Sequence, residues 1–173
     1  MKPIKFIFLF ALITSCNTPR AVFDYDQTVP FETIDSYQIF PDLKSGLSQL
    51  DEQRLLNVLE TELISEGLSV AEDPDIFVNF YSSEYQTASQ NSIGVGVGGG
   101  GGNVGMGVSG GFPIGGPETY LKLTFDFIDA KKDNLIWQAI VESRFNKNSS
   151  PEERENQLRT IVEKALKGFP PEK

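Results

Sequence analysis

The sequence predicts an α+β domain of two layers, a largely antiparallel β-sheet with two helices packed on one of its faces, in the order β-β-α-β-β-β-α. Two segments carry apolar residues at helical spacing, and five others have the extended or alternating pattern of half-buried strands. The stretch Tyr120 to Ile128 alternates most strictly, and its polar face would not be tolerated in a sheet covered by helices on both sides. Each element is apolar on one face only, so one interface between a helical layer and a sheet satisfies them all.

In chain order, Ala21 to Asp26 (AVFDYD) sets Val22, Asp24 and Asp26 against Phe23 and Tyr25, the pattern of a half-buried strand. Ser36 to Phe40 is a second short strand, closed by Pro41. From about Gln49 to Glu66 the period changes, and Leu55, Leu59 and Leu63, with Leu56 and Val58, form an apolar helical face. Ser48 with Asp51 three residues on is a weak form of the capping box, and Gly67 stands where a helix-ending glycine is expected. Asp73-Pro74-Asp75 punctuates the chain before Asp75 to Tyr85 (DIFVNFYSSEY) resumes extended character.

Tyr120 to Ile128 (YLKLTFDFI) places Leu121, Leu123, Phe125 and Phe127 on one face and Lys122, Thr124 and Asp126 on the other. The polar turn Asp129 to Asn134 leads into a returning strand, Leu135 to Phe145, with Trp137, Ala139, Val141, Ser143 and Phe145 inward, so the pair reads as a hairpin. Ser150-Pro151-Glu152-Glu153 then combines an N-cap serine, a proline at the first helical position and a glutamate at N3. The second helix runs to about Lys167, burying Leu158, Ile161, Val162, Ala165 and Leu166, and is stopped by Gly168 and Pro170-Pro171.

Composition removes whole classes of chemistry. The chain has 173 residues, enough for one domain, and its 39% apolar and 23% charged residues suit an ordinary globular core. It has no histidine and a single cysteine. A Ser-His-Asp or Cys-His triad, an imidazole zinc site and an internal disulfide are therefore all ruled out. No cofactor and no metal site are expected. With 15 Lys+Arg against 24 Asp+Glu the net charge is −9 and no basic stripe is present. That argues against nucleic acid as a partner, because Lys and Arg must neutralise its phosphates.

The N-terminus reads as an address. Lys2 and Lys5 precede an uninterrupted apolar run, Phe6 to Ile13 (FIFLFALI), far shorter than the ~20 residues a membrane-spanning helix needs. Ile13-Thr14-Ser15-Cys16 resembles the bacterial lipobox, an aliphatic residue and two small residues before a cysteine. By that resemblance cleavage follows Ser15, Cys16 receives a diacylglyceryl thioether, and the new amino group is often acylated. Residues 1–15 are then a lipoprotein signal peptide, 16–20 a lipidated tether and 21–173 one α+β domain with a glycine-rich insert at 94–116. Two or three acyl chains, at about 0.8 kcal/mol per buried methylene, anchor stably where one does not. The expected partner is the membrane, through that anchor. The expected location is the bacterial cell envelope, at the outer membrane facing the periplasm. Asn17 follows Cys16, and no acidic sorting signal comes directly after it.

The insert Gly94 to Gly116 holds 13 glycines in 23 positions. Gly94, Gly96 and Gly99 formally satisfy G-x-G-x-x-G, but no helix-forming stretch follows and the preceding Ser82 to Ser92 is polar, so the dinucleotide reading fails. Two readings remain. One is a flexible low-complexity loop. The other is a glycine-rich hairpin extending from the sheet, in which Val95, Val97, Val104, Met106 and Val108 alternate with small residues and form a contact for an envelope protein partner. Glycine weakens strands through entropy, which favours the first.

Paired acids can perform glycoside chemistry when a cleft sets them about 5–9 Å apart. Asp24 and Asp26 share a strand face, as do Asp126, Thr124 and Lys122, but with 24 acids close pairs arise anyway, and no catalytic residue is assigned. Trp137, Tyr120 and the Phe125/Phe127 stripe read as core rather than a ligand box.

One resemblance spans the mature chain. Phe23-Asp24-Tyr25-Asp26, Tyr37, the Leu-rich helix and Glu66-Gly67-Leu68 lead to Pro74-Asp75-Ile76-Phe77-Val78 and the glycine-rich insert. Leu123 to Ala130 (LTFDFIDA), Leu135-Ile136-Trp137-Gln138-Ala139 and the closing Gly168-Phe169-Pro170-Pro171 complete the order. With the lipobox before them, these motifs resemble the bacterial domain-of-unknown-function family DUF4136. Phe40 stands where members often have Trp, and Gln138 where a basic residue is frequent. The resemblance implies a small cell-envelope lipoprotein with no assigned reaction. The functional expectation is a noncatalytic binding or scaffolding module anchored through Cys16. Its alternatives are a subunit of outer-membrane assembly or export machinery, and a carboxylate-dependent hydrolase of envelope polymers.

Overall fold

The computed structural model describes residues 19–87, 92–94, 111–113 and 116–171. Its elements are β1 (Arg20–Tyr25), β2 (Ser36–Ile39), α1 (Gln49–Ser65), β3 (Ser69–Val70), β4 (Ile76–Thr87), β5 (Ser92–Gly94), β6 (Gly111–Pro113), β7 (Glu118–Asp129), β8 (Asn134–Arg144) and α2 (Pro151–Leu166), with a short 3-10 turn at Phe31–Thr33. Six strands form one sheet in the order β1-β8-β7-β4-β2-β3, and β5 pairs with β6. This is the expected α+β architecture, mostly antiparallel, with a two-residue edge strand, β3, added. The parallel pairing of β2 with β4 needs a crossover, which α1 supplies.

Alternation decides which face is buried. Across the register, Tyr37, Ile76, Val78, Phe80, Leu121, Leu123, Phe125, Phe127, Trp137, Ala139 and Val141 share one face, and all are buried. The buried residues of α1 (Leu55, Val58, Leu59, Leu63) and α2 (Leu158, Ile161, Val162, Ala165, Leu166) belong to the same core. Near the β7–β8 turn a bulge shifts the register after Phe127–Trp137, so Ile128 pairs with Leu135 and Ile136 is the extra residue.

The helix ends follow their capping residues. Ser48 Oγ accepts from the Asp51 amide at 3.2 Å. Ser150 and Glu153 complete a reciprocal box, Glu153 N–H to Ser150 Oγ at 3.2 Å and Ser150 N–H to Glu153 Oε2 at 2.8 Å. At the far end of α1 the amides of Gly67 and Leu68 donate to the carbonyls of Ile64 and Leu63, both at 3.0 Å, with Gly67 at φ +93°. That is a Schellman turn, which needs a left-handed residue, hence glycine. It sends the chain back beside β2, where the Ser69 and Ala71 amides reach the carbonyls of Asp35 and Tyr37 at 2.9 and 3.1 Å, making β3.

Two ties lock the helices. Asp51, 8% exposed, accepts from Arg54 Nη1 at 2.7 Å and from Arg154 Nη1 at 3.1 Å, joining the first turns of α1 and α2. The Arg154 guanidinium also donates to the carbonyls of Asn146 and Lys147 and lies 4.5 Å from the Phe145 ring centroid. At the other end of α2, Trp137 Nε1 donates to the Gly168 carbonyl at 3.1 Å, and the Phe169 ring packs on Phe31, Phe127 and Trp137 with centroids 6.0, 4.8 and 5.5 Å away. Phe23 stacks on Trp137 at 6.3 Å and covers Gly168, where a Cβ would stand 2.6 Å from its ring.

Gly168→Ala is therefore expected to destabilise the domain by about 1–2 kcal/mol by displacing Phe23 from Trp137. In a Phe23→Ala background the same substitution should cost almost nothing, which a urea double-mutant cycle reads directly. The Tyr37 hydroxyl is buried without a hydrogen-bond partner among the described residues. An unpaired buried hydroxyl costs stability, so Tyr37→Phe should leave the unfolding midpoint unchanged or raise it.

Candidate functional site

The sheet has a helix-covered face and an open one. On the open face stand Phe77, Tyr81 and Tyr85 of β4, Tyr120, Lys122, Thr124, Asp126 and Ile128 of β7, Gln138 and Ile140 of β8, and Val22 and Asp24 of β1. Val22 is 66% exposed, and Tyr81 and Tyr85 are exposed as well. Asp126 lies near the middle, where Gln138 Nε2 donates to its Oδ1 at 2.7 Å. Burial pushes the Asp126 carboxyl above its ordinary pKa, and the Gln138 hydrogen bond only partly opposes it.

The two ends of the sheet differ in charge. At the end with the β7–β8 turn, a cleft of about 430 Å³ is lined by Asp26, Asp75, Asp129, Lys131, Lys132 and Asn134, among others. Its acids are engaged in local structure. Asp75 accepts from the Ser36 hydroxyl at 2.7 Å and from the Asp35 and Ser36 amides at 3.2 Å, which holds its carboxyl below the usual range. Asp26 is lowered by the Thr28 amide and hydroxyl, which donate at 2.9 and 2.7 Å. Burial pulls Asp129 upward, but the amides and charge of Lys132, with the Lys131 amide, outweigh it and lower the group. Acid and base work needs neighbouring groups whose pKa values are pushed apart. The raised carboxyl, Asp126, is on the open face, while the three resolved shifts in this cleft are all downward. Asp24 and Asp26, which share a strand face in the sequence, do not act together either: Asp24 accepts from the Tyr25 amide and Asp26 closes the turn to Thr28.

Beside this end lies an apolar groove of about 610 Å³, with Tyr25, Val29, Phe31, Pro170 and Pro171 in its walls. The Tyr25 and Phe31 rings meet edge to face at 6.1 Å. The sequence offers Pro170-Pro171 only as a helix stop; nothing in its pattern brings it beside Phe31.

At the opposite end, Tyr85 and Tyr120 stack with centroids 5.5 Å apart. The Tyr120 hydroxyl donates to Glu118 Oε2 at 3.1 Å, and that bond raises its pKa. Burial, with the Glu142 carboxylate, raises that of Tyr85. Two ion pairs cross this end, Arg144 to Glu118 at 2.9 Å and Lys147 to Glu84 at 2.6 Å. Beyond Thr87–Glu118 the pairs Ser92–Pro113, Ile93–Phe112 and Gly94–Gly111 follow, and four residues separate the two ladders on each strand. The base of the insert thus keeps the β4–β7 register. The residues assigned to partner contact, Val95, Val97, Val104, Met106 and Val108, lie outside the described residues, as do Ser15 and the lipid-attachment residue Cys16.

Comparison with known proteins follows the fold. The model of the family "Domain of unknown function (DUF4136)" matches residues 21–171. No curated protein matches the chain. Among solved structures, a PDZ domain protein from Parabacteroides distasonis is similar with a TM-score of 0.57 and 12% identity, over 90% of this chain and 37% of that one. The chain thus spans just over a third of that protein's length. The PelC dodecamer from Paraburkholderia phytofirmans is similar with a TM-score of 0.51 and 10% identity, over 86% of this chain and 96% of that one. At these identities the likeness is one of fold.

The raised Asp126 carboxyl carries a sign. Its folded pKa lies above the ordinary value of 3.8, so its charged form destabilises the fold at neutral pH, and that penalty fades as pH falls through the folded value. Asp126→Asn, which keeps an acceptor for Gln138, should raise the urea midpoint at pH 7. The gain should vanish below the unfolded value near 3.8. A lower midpoint at pH 7 would contradict it.

Proposed function

This chain belongs to the DUF4136 family, and on that premise we propose that it is a cell-envelope lipoprotein, a noncatalytic binding or scaffolding domain anchored through Cys16 at the outer membrane and facing the periplasm. The observation that carries the reading is the order of the first sixteen residues: Lys2 and Lys5, the apolar run Phe6 to Ile13, then Thr14-Ser15-Cys16. Its support from the fold is positional. The first described strand begins at Arg20, so cleavage before Cys16 removes none of the described elements and leaves a tether of only a few residues. The noncatalytic reading is supported by the separation of Asp126 from the acidic cleft and by a sequence without histidine.

A second reading, a subunit of outer-membrane assembly or export machinery, is favoured by one observation: PelC, similar in fold along nearly its whole length, forms a dodecamer. In that reading the domain works as one copy in an oligomer.

The anchor is tested by substitution. Cys16→Ser should abolish incorporation of labelled fatty acid and release the protein from the membrane fraction, while its circular dichroism and unfolding midpoint stay those of the parent. Continued labelling, or membrane retention at the parent level, would sink the lipoprotein reading.

A further inference from the structure

We propose that the end of the sheet carrying Arg20, the Tyr85–Tyr120 pair and the β5–β6 pair rests on the lipid bilayer, so that the strands stand end-on to the membrane surface. The inference rests on Cys16 being the anchor and adds which part of the domain the bilayer touches.

The geometry begins with the tether. Only four residues of chain lead from Cys16 to Arg20, a reach of about 14 Å when fully extended. Arg20 pairs with Glu142, Glu142 with Lys122 and Lys122 with Ser83, so these residues form one row across the sheet. From that row β4 and β7 continue for four more pairs, to Thr87–Glu118, away from the β7–β8 turn. At about 3.3 Å per residue that extension is about 13 Å, already the full length of the tether. The β5–β6 pair follows in the same register. The end of the β4–β7 ladder therefore reaches the bilayer surface even when the tether is almost fully extended toward it.

The chemistry of that end suits a lipid surface. From Tyr85 to Pro117 there is no Asp, Glu, Lys or Arg, in a chain with net charge −9. A segment without charge enters the headgroup layer without burying an ion. Near the last pairs of the β4–β7 ladder, the stacked Tyr85 and Tyr120 present rings with polar tips, the side chains that collect at membrane–water boundaries. Arg20, Lys122, Arg144 and Lys147 stand just behind them, with Glu84 and Glu118 held in ion pairs and Glu142 between Arg20 and Lys122 in the row. Asp26, Asp35, Asp75, Asp129 and Asp133 gather at the opposite end with Lys131 and Lys132 as their counter-charges, the placement that keeps like charge farthest from anionic lipid headgroups.

The test uses the full lipidated chain reconstituted in vesicles of phosphatidylethanolamine and phosphatidylglycerol, with Cys16 blocked by its own lipid. Single cysteines at Ser92→Cys or Lys131→Cys carry an environment-sensitive fluorophore, and spin-labelled lipids serve as quenchers. Lys131 is an exposed residue of the β7–β8 turn, its side chain 75% accessible. The expected result is quenching several-fold stronger at position 92 than at 131. Equal quenching, or stronger quenching at 131, in lipidated and vesicle-bound protein overturns the orientation and leaves the anchor standing. Recovery of the chain unlipidated and free of vesicles overturns both.

Discussion

The unbroken antiparallel ladder of β4 with β7 is the constraint on which the rest of the molecule depends. Twelve pairs, Ile76–Asp129 to Thr87–Glu118, run without a slip, and a shift of one residue would carry Val78, Phe80, Phe125 and Phe127 from the core to solvent. Every other strand of the sheet takes its position from this pair: β8 from β7, β1 from β8, β2 from β4 and β3 from β2. The ladder is also longer than the layer that covers it. Helices of 17 and 16 residues span about 25 Å, whereas twelve strand residues span about 40 Å. Burial along β4 follows, with Ile76, Val78 and Phe80 inside and Glu84, Tyr85 and Gln86 exposed. The uncovered end is where the charge-free segment begins.

Closure of the other end falls to aromatic rings. Trp137 is fully buried, its Nε1 satisfied by the Gly168 carbonyl, and its ring is flanked by Phe23, Phe127 and Phe169. One side chain thereby joins the chain after α2 to β1, β7 and β8. Gly168 is required by the closeness of Phe23 rather than by its backbone angles. The Asp51–Arg154 pair does the corresponding work at the helix N-termini. There the buried carboxylate is tolerable because two guanidinium groups share it.

Much of this fold was legible because its signals are local. The reciprocal Ser150–Glu153 box and the Gly67 turn involve neighbours in sequence, and α1 and α2 begin and end within about a residue of where those residues place them. Alternation located the five longer strands of the sheet for the same reason. β3 was not legible, since two residues carry no period. The bulge at Ile136 was hidden too, as were the clamp of Asp75 on Ser36 and the tie between Asp51 and Arg154, separated by 103 residues, because pairing across the chain leaves no trace in local spacing. The candidate site divides in the same way. The Cys16 signal is readable only in the sequence, through the succession of charged, apolar and small residues before it. The opposition of an end that leads into a charge-free segment and an acidic end emerges only when the register aligns Arg20, Lys122 and Ser83 in one row. In the insert, 13 of 23 positions are glycine, which has no side chain to declare a face.

These features describe a small α+β domain of the DUF4136 family in which one end of the sheet leads into a charge-free segment and the other is acidic. Arg20, where the first strand begins, lies at the same end of the sheet as the stacked Tyr85 and Tyr120, and the acidic cleft and apolar groove are at the other end. The most direct measurement is the intact mass, with N-terminal fragmentation, of the protein extracted from membranes of the cells that make it. A chain beginning at Cys16 and carrying diacylglyceryl with an amide-linked acyl group is the predicted result. A membrane-extracted chain that retains residues 1–15, or one that begins elsewhere with an unmodified Cys16, would contradict it.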